Sequence, residues 1–414
     1  MKKFDYTGLF TENSDDTELS VVEHAKYDFA VAYPAPETLP MDGLVNALQT
    51  AIDSRGDEIN REMAYYPHVK GSEELREYTS IKLKKDRSID ISPDEIIITN
   101  GSGESIQLLI HALTNPGDTV ITEQYVYGGT FNQLKKAKAD IVGTPVDERG
   151  IIPDQLEDLI INLTKQNRNP KYLYTITEHQ NPMGPTLPLE RKKEILRIAH
   201  KYRIPIIEDE CYVDLRFEGV AQPPFRALDD SGIAIYIGSY SKLLAPGLRL
   251  GYFIASEEVT RRAMSFRHGS GPSLFSSYAV EGFLKNNLDS HRNNFNPLLK
   301  QKKDAMTESL EKNFSNTGAK WSNPEGGCYL WLTLPEEIDL SIIRDEIFSE
   351  GVGYLAGPNF APNNDGKNCA RLCFAFETPK KNKEGIDLLY FLLIEPNSLN
   401  FQPNFFYLLH MTKF

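Results

Sequence analysis

Only four cysteines occur in the 414 residues: Cys211, Cys328, Cys369 and Cys373. None forms a CxxC pair and no histidine lies near them, so the spacing of a zinc site is missing. They read as buried free thiols of a reducing compartment. A long apolar run is missing too. The longest, Leu388 to Ile394, falls far short of the roughly 20 residues needed to cross a bilayer. The start, Met1-Lys2-Lys3-Phe4-Asp5, has positive charge but no apolar segment behind it, so no Sec-type signal is expected and the reading is cytoplasmic. There is no basic excess: net charge is −13 and the pI about 5.2. Such a surface repels phosphate backbones and anionic lipid, so neither nucleic acid nor a membrane is an expected partner. Repeats and low-complexity segments are absent.

What is present is an ordinary globular composition, 40% hydrophobic and 25% charged, in a chain longer than the roughly 250–300 residues that one core supports. Residues 1–40 read as an N-terminal arm packing with a small domain, Pro-rich at its end (Pro34, Pro36, Pro40). From residue 41 to 288 we expect a large domain. Helical character at 41–54 and 72–86 is followed by β-rich runs at Glu95–Thr99, Asp118–Thr122, Lys171–Ile176, Pro205–Glu208 and Ile233–Ile237, with helices from about Gly103, from about Gly128 and over Leu189–Tyr202 between them. That alternation implies parallel strands joined by right-handed crossovers, an α/β domain with helices on both faces of the sheet. Helical stretches at 256–267, 273–288 and 291–313 come next. Residues 289–390 read as a smaller α+β domain with strands near 328–333 and 369–374. The tail, 391–414, is a set of apolar clusters broken by Pro396 and Pro403.

Open α/β sheets bind ligands beyond the carboxyl ends of their strands. Four strand ends here carry chemistry: Asn100-Gly101-Ser102-Gly103-Glu104; a loop with His179, Asn181 and Pro182; Asp209-Glu210-Cys211-Tyr212; and Gly238-Ser239-Tyr240-Ser241-Lys242. If the strands are parallel neighbours, these groups share one rim. Backbone N–H groups at a helix N-terminus suit a phosphate, and Ser102 and Gly103 can supply them, with Ser239, Ser241 and Arg249 to complete the cup. A reactive lysine needs a carbonyl partner and a lowered pKa. A heterocycle whose nitrogen stays protonated needs a buried carboxylate, and a phenolate oxygen needs donors such as Asn181 and Tyr212. Together these requirements describe pyridoxal 5'-phosphate.

The run from Ser239 to Gly251, SYSKLLAPGLRLG, resembles the Schiff-base signature S-x-S-K-x-x-x-P-G-x-R-x-G of the class I/II aminotransferases of pyridoxal-phosphate fold type I. Asn181-Pro182 and the Asp209…Tyr212 pair precede it in the family's order, and the resemblance spans roughly residues 25–390. It implies the fold type I architecture: a mostly parallel central sheet with helices on both faces, plus a smaller α+β domain. It also implies these roles. Lys242 forms the Schiff base and shuttles the proton. Asp209 pairs with the ring nitrogen, and Tyr212 and Asn181 meet the ring hydroxyl. Ser102, Gly103, Ser239, Ser241 and Arg249 hold the phosphate, and Tyr127 stacks on the ring. Tyr66 reaches the phosphate of a neighbouring subunit, with Tyr65 as its substitute. Arg371 clamps the substrate α-carboxylate beside Asn181.

The implied activity is ping-pong transfer of an amino group between an α-amino acid and an α-keto acid, in a homodimer with shared active sites. A lyase (C–S β-elimination) or a decarboxylase on the same fold is the alternative. Tyrosines near the site favour a broad or aromatic substrate preference. The sequence departs from the family pattern in several places. Cys211 stands where many relatives have proline, Gln124-Tyr125 lacks the proline common before the stacking aromatic, and Ala32-Tyr33-Pro34 lacks the usual glycine. No role is assigned to Glu178 or His179.

Overall fold

The computed structural model describes residues 4–10 and 23–394; most of the expected 391–414 tail lies outside them. A seven-stranded sheet forms the centre: β1 (Ile96–Thr99), β2 (Thr119–Glu123), β3 (Asp140–Thr144), β4 (Leu173–Ile176), β5 (Ile206–Asp209), β6 (Ala234–Ser239) and β7 (Gly251–Ile254), in the order β1-β7-β6-β5-β4-β2-β3. Strand β7 runs antiparallel to both of its neighbours, and the other pairings are parallel. Strands β1, β2, β4, β5, β6 and β7 are buried at every position, and apolar residues predominate in most of them. A sheet covered on both faces requires that pattern.

Two strands, β3 and β7, were not expected from the sequence. The first is a half-buried edge strand containing Gly143. The second follows the lysine loop so closely that it reads as its continuation. Because β7 lies between β1 and β6, the four functional strands are not all adjacent. They are nonetheless mutually parallel, so their carboxyl ends open on the same edge.

Helices α1 (Met41–Arg55), α2 (Glu73–Arg87), α3 (Ser102–Leu113), α4 (Gly128–Lys136) and α5 (Leu189–Tyr202) belong to the sheet portion. Ser72 caps α2 by accepting from the Leu75 N–H, with Glu73 and Glu74 in the first turn as the helix dipole prefers. Helix α6 (Leu274–Phe314) is continuous where two helices were expected. The stretch Ser290-His-Arg-Asn-Asn-Phe-Asn-Pro297 is poor in helix formers, but tertiary contacts hold it. His291 Nε2 meets the Leu243 carbonyl at 2.8 Å, and Arg292 pairs with Asp86 and Asp214. The domain division offered at 288/289 therefore falls inside a helix.

A second sheet, β8 (Lys320–Trp321), β9 (Tyr329–Thr333), β10 (Leu355–Ala356) and β11 (Cys369–Cys373), has the order β8-β9-β11-β10 and is antiparallel throughout. Helix α7 (Pro379–Ile394) packs against α6. The strand Tyr27–Asp28 pairs with Val352–Gly353, tying the arm to this part of the molecule.

Candidate active site

The first half of the site is a cradle at the N-terminus of α3. Gly101 is the N-cap, at φ 79°, a conformation that favours glycine. A β-carbon there would sit 2.6 Å from the Arg249 guanidinium. Gly251, which opens β7, lies under the same turn, and a β-carbon on it would sit 2.5 Å from the Ser102 nitrogen. The turn is thus shaped by two missing side chains and covered by Arg249, whose Nη2 donates to the Asn100 carbonyl at 2.9 Å. Ser239 Oγ accepts from the Ser241 N–H at 3.1 Å. Ser102, Gly103, Ser239, Ser241 and Arg249 all line one cavity.

Lys242, Asp209, Tyr212, Cys211 and Tyr127 line that cavity as well, as does Ala32 from the arm. Lys242 Nζ donates to the Ala32 carbonyl. Burial pushes its amine below the usual lysine value, because a cation is costly away from water. Asp209 ends β5 and is only 2% exposed. Its Oδ1 accepts from the Cys211 N–H at 3.2 Å and its Oδ2 from the Tyr174 hydroxyl at 2.7 Å. Burial raises the Asp209 carboxyl above the ordinary range, and those donors pull it back. Tyr127, the N-cap residue of α4, is half-buried. Gly129 makes room for it, since a β-carbon there would touch the ring at 2.5 Å.

The other half of the site comes from the second sheet and the arm. Arg371 on β11 is 2% exposed. Its Nη1 donates to Asn181 Oδ1 at 3.2 Å and its Nη2 to the carbonyls of Ala30 and Val31 at 2.7 and 3.1 Å. The guanidinium lies 4.4 Å from the Tyr329 ring centroid, and its buried Nε has no partner among the described residues. Asn181, before a cis proline bond, donates from Nδ2 to the Tyr212 hydroxyl at 3.0 Å. Burial pushes the Tyr212 phenol well above its usual value, so it remains a protonated donor.

Three expected residues do not line the cavity: Asn181 and Arg371 border it through Tyr212, and Tyr66 stands apart. Tyr66 is 90% exposed and does not line the cavity, and Tyr65 is 66% exposed. Glu178 belongs to a buried charge network, pairing with Arg216 and accepting from the Gln222 N–H at 2.9 Å. His179 is buried, and its ring sits against Gly326 and Gly327.

Sequence reasoning missed the carbonyls of Ala30, Val31 and Ala32, which have no side-chain signal. It also missed Tyr174, whose partner lies on the next strand, and Tyr329. The alternation in Lys171–Ile176 was a usable sign for Tyr174, because it puts a phenol on the strand beside the one that carries Asp209.

The residues fit the phosphorylated cofactor. The glycine-shaped cradle has a helix N-terminus, two serines and an arginine for an anion. A buried carboxylate and a half-buried lysine face the same cavity. A mixed α/β fold with this set at its strand ends defines an enzyme that uses a lysine and a bound heterocycle. The chain belongs to the family of class I and II aminotransferases, whose model matches residues 37–389.

It is 32% identical to aromatic-amino-acid aminotransferase 1 of Thermococcus litoralis, over 86% of this chain and 85% of that one. The multiple substrate aminotransferase of Thermococcus profundus superposes with a TM-score of 0.86 at 29% identity, covering 95% of this chain and 100% of that chain. The kynurenine aminotransferase of Pyrococcus horikoshii gives 0.82 at 30%, covering 88% and 89%. The protein is a pyridoxal-phosphate-dependent transaminase of fold type I, and these relatives favour transamination over elimination or decarboxylation.

Proposed function

We propose that the residues gathered around the cavity divide the work of transamination as follows. Ser102, Gly103, Ser239, Ser241 and Arg249 hold the cofactor phosphate, and Asp209 holds the ring nitrogen. Asn181 and Tyr212 hold the ring hydroxyl, and Tyr127 covers the ring face. When bound, pyridoxal phosphate supplies an electron sink that weakens the bonds at the substrate α-carbon. Arg371 grips the substrate carboxylate with the guanidinium N–H groups that Asn181 and the arm carbonyls leave free. Asn181 Oδ1 and the arm carbonyls fix its plane, which sets the angle of the α-carbon hydrogen.

Lys242 Nζ moves the proton. Its lowered pKa raises the share of uncharged amine that can accept a proton from the α-carbon near neutral pH. The arm at Ala30–Ala32 closes over both cations and keeps water away from them. The single observation that carries this reading is the placement of Lys242 and Asp209 in one cavity, with Arg371 joined to that cavity's wall through Asn181 and Tyr212.

We further propose a homodimer in the cytoplasm, with Tyr66 of each protomer completing the phosphate cup of its partner. The exposure of Tyr66 supports this, because a tyrosine 90% exposed in one chain has surface to give to another. Among the described residues no helix is long and apolar enough to cross a membrane. The domain limits 1–40, 41–288, 289–390 and 391–414 stay a proposal.

For substrates we propose a broad range with aromatic amino acids included. The names of the Thermococcus relatives and the tyrosines at the site support it. The test is a panel of amino acids with the enzyme in the pyridoxal form, followed by absorbance for conversion to the pyridoxamine form. Conversion by aromatic amino acids, reversed by a keto acid, supports the reading. Release of ammonia or carbon dioxide without that conversion contradicts it.

A further inference from the structure

Asp209 has two carboxylate oxygens, and each has its own protein donor. The Cys211 N–H takes Oδ1 and the Tyr174 hydroxyl takes Oδ2, at 3.2 and 2.7 Å. Tyr174 stands on β4, which pairs in parallel with β5 so that Tyr174 faces Ile207 and Ile176 faces Asp209. The phenol therefore reaches along the sheet toward the carboxyl end and meets the carboxylate there. Its side chain is 1% exposed, so water does not compete for the bond. Burial beside Asp209 pushes the phenol well above its usual value, which leaves the hydroxyl as the donor.

We infer that Tyr174 is a positioning residue of the transamination site, one that fixes the plane of the Asp209 carboxylate and keeps it ionised to pair with the cofactor's ring nitrogen. The physical reason is a competition. Desolvation favours the neutral acid, and a neutral acid does not hold a protonated nitrogen. A hydrogen bond to the charged form opposes desolvation and is stronger than a neutral one. Tyr174 supplies such a bond from a side chain that Phe removes, and Cys211 supplies the other from its backbone N–H, with its thiol also beside the carboxylate. Tyr174 touches neither substrate nor cofactor, so it acts through Asp209. The inference rests on the role given above to Asp209.

The test uses Tyr174→Phe, Asp209→Asn and the double variant as full-length proteins. The readouts are the dissociation constant for pyridoxal phosphate and the nitrogen NMR shift of ring-labelled cofactor bound to the enzyme. Tyr174→Phe is expected to weaken cofactor binding about tenfold, the scale of one lost bond to a charged group, and to move the shift toward the unprotonated nitrogen. In the Asp209→Asn background the same substitution is expected to add little, because the charge it serves is gone.

Three results overturn the inference. The first is an unchanged nitrogen shift in Tyr174→Phe while Asp209→Asn moves it, which leaves the role of Asp209 standing. The second is an equal loss of affinity in both backgrounds, which marks a packing effect only. The third is an unchanged shift in both single variants, which removes the role of Asp209 and this inference with it. Should Tyr174→Phe fail to fold, replacement of Tyr174 by 4-aminophenylalanine keeps a donor in the same place. Retention of the wild-type shift by that variant supports the inference, and its loss counts against it.

Discussion

The role proposed for Lys242 needs an amine that is charged or uncharged on demand. Burial holds its amine below the usual 10.5. Between that lowered value and 10.5 the unfolded chain binds more protons than the folded one, so stability rises with pH through the window. Below the window both states carry the charge and the full cost of burying it is present. Lys242→Met removes that cost. The cofactor-free variant is expected to melt about 3 °C above the wild type at neutral pH, with the gap closing as the pH approaches 10.5. Calorimetry of the cofactor-free proteins checks this, and an equal or lower melting point contradicts it.

Arg371 gives a second residue-scale outcome. Arg371→Lys keeps the charge but loses the planar fork that Asn181 and the arm carbonyls hold. Steady-state kinetics should show kcat/KM for the amino acid falling about 100-fold, mainly through KM, with cofactor affinity unchanged. A fall confined to kcat counts against the carboxylate role. At this scale the sequence was most informative where chemistry lies in one continuous run, as from Ser239 to Gly251. It was blind to partners that act through the main chain, such as Ala32, or from another strand, such as Tyr174.

Elements set the precision of the site. Strand β7 presses Gly251 against the first turn of α3, so Gly251→Ala forces a β-carbon onto the Ser102 nitrogen. Overpacking of this kind costs about 1–3 kcal/mol. Denaturant unfolding is expected to show that loss, and cofactor titration at least a tenfold weaker affinity; unchanged values in both contradict the shared cradle.

Strand β2 ends on Glu123, which is buried and pushed up to about 8 by desolvation. It accepts from Gln180 Nε2 at 3.0 Å and Thr175 Oγ1 at 2.8 Å, and so anchors the turn that presents Asn181. Because its folded value is raised from 4.5, the folded chain binds more protons between 4.5 and about 8, and stability falls as the pH rises through that window. Glu123→Gln should flatten the melting curve against pH over that range, and a slope as steep as the wild type's contradicts this.

The strand–helix rhythm was legible in the sequence because buried strands such as Ile96–Thr99 and Ala234–Ser239 are apolar at nearly every position. The half-buried edge strand β3 lacks that mark, and the antiparallel β7 carries it but follows the lysine loop too closely to stand out. The continuity of α6 across Asn293, Asn294 and Pro297 depends on contacts with Leu243, Asp86 and Asp214 that no local pattern reveals.

For the whole molecule, cradle and clamp meet in two ways, directly through the Arg371–Asn181 bond and through the arm that runs between the two sheets. The carbonyls of Ala30 and Val31 receive Arg371, and the carbonyl of Ala32 receives Lys242. The proposed homodimer would add a further layer. Sedimentation is expected to give a mass near twice 46.8 kDa. Tyr66→Phe should weaken cofactor binding about tenfold without altering that mass, whereas a monomer with full activity contradicts the shared site.

Reductive trapping tests the central claim most directly. Borohydride treatment of the cofactor-loaded protein, followed by peptide mapping, is expected to place a single phosphopyridoxyl group on Lys242. A protein that takes up no pyridoxal phosphate, or a label on another lysine, would contradict it.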